Sequence, residues 1–116
     1  QNYKDLKVCE KAHQFTLIVY EVNKHFPKEE LYGLTNQLRR SAYSIPANVA
    51  EGCGKNLKAD FANFLNIALG SANESEYFIL LAKDLTYIST EKFETLSKLI
   101  NEIKAMLIAL IAKVRL

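Results

Sequence analysis

The 116-residue chain has a mass of 13.2 kDa, enough for one core-forming domain and too little for a two-domain enzyme. With 49% hydrophobic residues, 24% charged residues and a net charge of +2, it is too apolar for a disordered chain and less basic than a dedicated nucleic-acid binder. Two cysteines, no run nearing the ~18 apolar residues of a membrane span and a charged start (QNYKDLKVCEKA) argue in turn against a disulfide scaffold, membrane insertion and a secretory signal, so a reducing, cytoplasmic setting is expected.

Taken in chain order, the apolar residues recur with helical rather than alternating spacing. In the first segment Val8, Ala12, Phe15, Val19, Val22 and Phe26 share one face, with Asn2 or Asp5 as candidate caps. Pro27 ends that helix, because the residue before a proline is pushed out of helical geometry. Pro27 with Glu29 and Glu30 can open a short helical turn before Gly33. The second segment runs from about Leu34 to Gly52, with Leu34, Leu38, Ala42, Ile45 and Val49 on one face. Pro46 lies inside it and predicts a kink near Ala42 to Pro46, with two separate short helices as the alternative.

The third segment is the longest, from about Leu57 to Ile88, with Asn56 as the expected cap. Its inward stripe reads Leu57, Phe61, Leu65, Ala68, Ala72, Ser75, Ile79, Ala82 and Leu85, small in the middle, so a neighbouring backbone can come close. Ser41, Ala42 and Asn48 offer the matching small surface on the second helix. The fourth helix starts after Ser89 or Thr90 and carries Phe93, Leu96, Ile100, Ile103, Leu107, Leu110 and Val114 in four-three alternation. Four amphipathic helices with short connections predict a single all-α domain over residues 1–116, an antiparallel up-and-down four-helix bundle with a kinked second helix.

The fourth helix has more apolar surface than one stripe needs. Leu99 and Met106 extend one flank and Ile108 and Ile111 the other, with no charge between Lys104 and Lys113. Leu17, Ile18 and Tyr20 add to the first helix outside its core face. A patch of that size is rarely left bare on a monomer, so self-association through Leu17, Tyr20, Leu99, Met106, Ile108 and Ile111 is expected.

The runs FPKEELYGLTNQLRRSAYSIPANVAEGCGK and FLNIALGSANESEYFILLAKDLTYI, with SIPANVAEG and IALGS as their most specific parts, resemble a bacterial four-helix-bundle family. It is named for reading frames in the intervening sequences of 23S ribosomal RNA genes. The resemblance extends from Asp5 into the fourth helix. It implies a homopentamer of four-helix protomers with no known catalytic activity. In a branch associated with retroelements, it also implies binding to nucleic acid and to a partner enzyme, a reverse transcriptase. The chain departs from the family at Cys9 and Cys53, where members often carry large aromatic side chains.

The candidate anion-binding residues are Arg39 and Arg40 on the second helix with Lys55 and Lys58 around the next loop, where Gly52, Gly54 and helical amides could add donors for phosphates of RNA or DNA. The competing reading pairs Arg39 or Arg40 with Glu51, Glu74 or Glu76. Ser41, Asn48, Ser71 and Ser75 read as small-residue helix packing, with hydroxyls bonded to backbone carbonyls. Tyr3, Tyr20, Tyr32, Tyr43, Tyr77 and Tyr87 are dispersed, as edge-of-core and interface residues are, rather than gathered into a stacking platform.

No catalytic set, metal site or cofactor is expected. Glu10 and His13 have di-iron spacing, but no second copy exists. Cys9 and His13 could supply two zinc ligands, with nothing nearby to complete four. The common phosphate-loop, dinucleotide, hydrolase and zincin motifs are absent. Two functions remain in play: a non-enzymatic, oligomeric nucleic-acid accessory module, and a protein-interaction scaffold without nucleic-acid binding.

Overall fold

The computed structural model describes residues 2–116 and folds them into an elongated bundle of four helices, 44 × 24 × 20 Å. They are α1 (Lys7–Asn23), α2 (Asn36–Cys53), α3 (Lys58–Asp84) and α4 (Thr90–Val114). Consecutive helices pack against each other and α1 also packs on α4, which closes the bundle; α2 and α3 share the broadest interface. Among the described residues there is no strand, and no helix is long and apolar enough to cross a membrane.

The expected stripes form one continuous core. Phe15 and Val19 of α1, Leu38, Ile45 and Val49 of α2, Leu65 and Ile79 of α3, and Leu96, Ile100, Ile103 and Leu107 of α4 are all fully buried. Small residues do bring α2 and α3 together. Ala42, Ala68, Ala72 and Ser75 have no exposed surface, and an added Cβ at Gly52 would lie 2.9 Å from Phe61 Cδ1 and 3.0 Å from Phe64 Cβ. Helix α2 runs unbroken through Pro46, which rules out two short helices.

Several helix ends differ from expectation. Asn2 accepts a hydrogen bond from the Lys4 backbone N–H and caps a short 3-10 turn, Tyr3–Asp5, while α1 itself starts after Leu6 with no side-chain cap. Asn56 does not cap α3; the preceding residue is Leu57, exposed and extended. α3 also stops at Asp84 rather than near Ile88. Thr86 adopts φ 64°, and the N–H groups of Thr86 and Tyr87 return to the carbonyls of Lys83 and Ala82 at 2.9 and 2.8 Å. That is a Schellman ending, with threonine in the left-handed position glycine usually fills. Leu57 and Leu85, the two ends of the expected stripe, are therefore exposed.

The α1–α2 connection contains a 3-10 turn, Lys28–Glu30, and a wide turn, Leu31–Thr35, in which Gly33 (φ −110°, ψ −115°) leaves helical geometry. Glu30 ties this corner down: one carboxylate oxygen accepts the Leu34 N–H at 3.2 Å and the other the Tyr87 hydroxyl at 2.8 Å. The α1–α2 and α3–α4 connections are thereby joined at one end of the bundle.

Candidate interaction surface

The structure uses most of the surplus apolar surface of α4 within the chain. Ile111 is 8% exposed and belongs to the core, so it is not an interface residue. Leu99 and Met106 are half-buried and pack against the same core. The reason is the register of the last turns: the buried series continues Ile103, Leu107, Ile111, leaving Leu110 and Val114 only half-buried beside it. Of the expected α4 residues only Ile108 stays broadly open, at 55% exposed.

An open face lies across α1 and α2. Leu17 (56% exposed), Tyr20 and Tyr43 (46%) project from it, together with Tyr3 ahead of α1. On α1, His13, Leu17 and Tyr20 are three or four residues apart and so neighbours on the helix surface. Between the helices runs an open groove of about 570 Å³, lined by Tyr3, Cys9, His13, Tyr43, Pro46 and Ala50 among others. The groove exists because small side chains (Cys9, Ala47, Ala50) face one another where larger ones would fill the gap.

Cys9 lies in the groove floor, buried, with its Sγ 3.9 Å from the Pro46 carbonyl oxygen. Burial, and then the neighbouring Cys53, push its thiol pKa up; burial does the same for Cys53. Both are free cysteines, and a raised pKa disfavours the reactive thiolate. Glu10 and His13 are exposed at the groove's edge, and among the described residues no three His, Cys, Asp or Glu side chains converge as a metal cage.

The four expected phosphate contacts do not form one cluster. Arg39 lies in the first turn of α2, about 21 Å from its end at Cys53 at 1.5 Å per residue, and Lys55 and Lys58 lie beyond that end. Arg39 is half-buried. Its Nε donates to Asn23 Oδ1 at 3.2 Å, and its guanidinium sits over the Tyr20 ring, 4.8 Å from the centroid. Lys55 pairs with Glu51 at 3.5 Å and lies over the Phe64 ring. Glu76 pairs with Lys104 at 3.0 Å, so neither Glu51 nor Glu76 serves an arginine. Arg40 and Lys58 are exposed and form no ion pair among the described residues.

The polar residues between α2 and α3 form a hydroxyl seam. Ser75 Oγ donates to Ser41 Oγ at 2.8 Å, and Ser41 donates to the Leu38 carbonyl at 3.1 Å. Ser44 and Ser71 share a 2.9 Å hydrogen bond, and Asn48 Nδ2 donates to the Ser44 carbonyl and hydroxyl. These side chains satisfy one another, which makes the seam structural rather than a pocket. One contact was not visible in the spacing: the Asn23–Arg39 bond, which links the end of one helix to the start of the next across an irregular turn.

Comparisons with known proteins agree with this architecture. A family model described as 23S rRNA-intervening sequence protein matches residues 4–109. A solved structure from Bacteroides thetaiotaomicron VPI-5482, described as a protein with unknown function from the S23 ribosomal protein family, is 34% identical in sequence. The match covers 90% of this chain and 97% of that one, with a TM-score of 0.83. No curated protein matches the chain.

Proposed function

The chain belongs to the 23S rRNA-intervening sequence protein family, and from that premise we propose that it acts as a non-catalytic, self-assembling module whose α1–α2 face joins it to further copies of itself. The observation that carries this is the α1–α2 face, where Tyr3 and Tyr43 flank an open groove lined by small side chains and Leu17 and Tyr20 stand exposed on the same helix as His13 at the groove's edge. Large aromatic side chains exposed beside an unfilled groove are the usual anchors and sockets of a protein interface. The assembly is a closed ring in the cytoplasm, with five the copy number that the family resemblance implies. A closed ring of more than two copies is joined head to tail, so the α1–α2 face of one chain docks on a different surface of the next, and the surface left over serves as a scaffold for a partner.

Light scattering at micromolar concentration tests the reading. A particle several times 13.2 kDa is expected, and a mass near that of one chain overturns it.

A second reading is nucleic-acid binding, and Arg40 and Lys58, exposed and without an ion pair among the described residues, are the specific observation behind it. Repeated around a ring, two such positions per chain add to a steering field for polyanions. Log affinity for an RNA oligonucleotide should then fall with log salt, and Arg40→Ala with Lys58→Ala should flatten the slope. A response independent of salt removes this reading and leaves the scaffold.

A further inference from the structure

At the α1–α2 corner a second cavity, of about 370 Å³, is lined by Asn23, Lys24, Phe26, Lys28, Leu31, Thr35 and Arg39 together with Pro27. We propose that it is a binding site for a small oxyanion, a carboxylate or phosphate carried on a compact apolar group. The cavity is formed entirely by residues of one chain.

The argument starts from Asn23, which is 5% exposed. Its amide orientation is set by Arg39, whose Nε can only donate and therefore faces the amide oxygen, at 3.2 Å. The other half of the amide is left as a donor, and Asn23 Nδ2 is the one buried side-chain polar atom with no hydrogen-bond partner among the described residues. Folded proteins rarely leave a buried donor unmatched; its partner is ordinarily a water, an ion or a ligand acceptor.

The surroundings indicate the sign of that acceptor. Three of the lining side chains (Lys24, Lys28 and Arg39) are cations, and no carboxylate lines the cavity. Lys24 is partly engaged by Glu21 at 3.1 Å, whereas Lys28 is exposed and without an ion pair among the described residues. Thr35, buried beside them, carries a hydroxyl that can also donate. Stacking on Tyr20 holds the Arg39 guanidinium in place in advance, so little freedom is lost when an anion arrives. Phe26 and Leu31 give the cavity apolar walls, and its volume is within the usual range for small-molecule sites.

Nuclear magnetic resonance of the ¹⁵N-labelled full chain reads the key atom directly, through the side-chain NH₂ signals of Asn23. Three probes are titrated separately: inorganic phosphate, phenyl phosphate and 3-phenylpropionate. The expected result is a saturable shift of the Asn23 side-chain signals, with at least one phenyl-bearing probe binding more tightly than inorganic phosphate. Which of the two it is identifies the headgroup. Lys28→Ala, at an exposed position, should weaken binding about fivefold. Asn23→Asp keeps an acceptor for Arg39 but replaces the free donor with negative charge, and, read through the backbone amides of Lys24, Lys28 and Thr35, should abolish binding in a protein whose spectrum remains that of a folded chain. The proposal is overturned if the Asn23 signals do not move. It is equally overturned if shifts are unsaturable, spread over many lysines and indifferent to Lys28→Ala.

Discussion

Replacing two glycines by alanine, one at a time, should shift stability in opposite directions. Gly70 sits in the middle of α3 on its exposed face, and an added Cβ there meets nothing within 4 Å. Alanine at that site gains helix propensity without any clash, about 1 kcal/mol. Gly52 gains the same propensity, but its Cβ would stand 2.9 Å from Phe61 Cδ1 and 3.0 Å from Phe64 Cβ. The Phe61 ring can swing aside; Phe64 Cβ is fixed to the α3 backbone, so the two helices must separate by a few tenths of an ångström. Overpacking of this kind costs about 1–3 kcal/mol, which leaves Gly52→Ala destabilised by about 1 kcal/mol after the propensity gain. For a chain of this length the unfolding entropy converts 1 kcal/mol into about 4 °C. Thermal unfolding followed by circular dichroism should therefore place Gly70→Ala about 4 °C above the parent chain and Gly52→Ala about 4 °C below it. Equal shifts, or a Gly52→Ala protein more stable than Gly70→Ala, would refute the claim that α2 and α3 touch at Gly52.

Other substitutions probe single contacts. Ser41→Ala leaves the buried Ser75 hydroxyl without its acceptor and should cost about 1–2 kcal/mol, while the Ser41→Ala/Ser75→Ala double variant costs less than the sum of the singles; additive urea-unfolding energies would contradict the seam. Thr86→Gly relieves a β-branched residue held at positive φ and should stabilise the chain by about 0.5–1 kcal/mol in the same assay. The Glu102 carboxyl is held below the usual glutamate range, chiefly by the 2.9 Å hydrogen bond from Lys11 and then by its charge. Because the folded value is depressed, the stability from this pair is fully present above the ordinary glutamate range and is lost as pH falls through the folded value. Lys11→Met should accordingly lower stability at neutral pH and make no difference at the acid end, and a pH-independent loss would contradict the pairing.

How far the sequence could be read depended on whether the physics was local. The 3.6-residue spacing of Phe15, Val19 and Val22, or of Leu96, Ile100 and Ile103, is decided by burial of one face, and those residues are all buried. The small patch at Ala42, Ala68, Ala72 and Ser75 was legible for the same reason. The end of α3 was not, because Thr86 takes a backbone conformation that composition assigns to glycine. Ile111 was misplaced because strict four-three alternation points to Leu110 and Val114, whereas the last turns of α4 continue the buried series from Leu107 to Ile111. For Arg39 the sequence offered a phosphate contact or a partner among Glu51, Glu74 and Glu76, and missed Tyr20 and Asn23 because they lie on the preceding helix. Only the wide turn around Gly33 brings them together.

The most direct test of the account compares two faces of one molecule by sedimentation velocity. Leu17→Glu with Tyr43→Glu places charge on the α1–α2 face, and Ile67→Glu with Tyr77→Glu places the same charge on exposed positions of α3. The first pair should reduce the particle to single folded chains, and the second should leave the parent assembly intact. Assembly that survives the first pair, or is lost only with the second, contradicts self-association through the α1–α2 face.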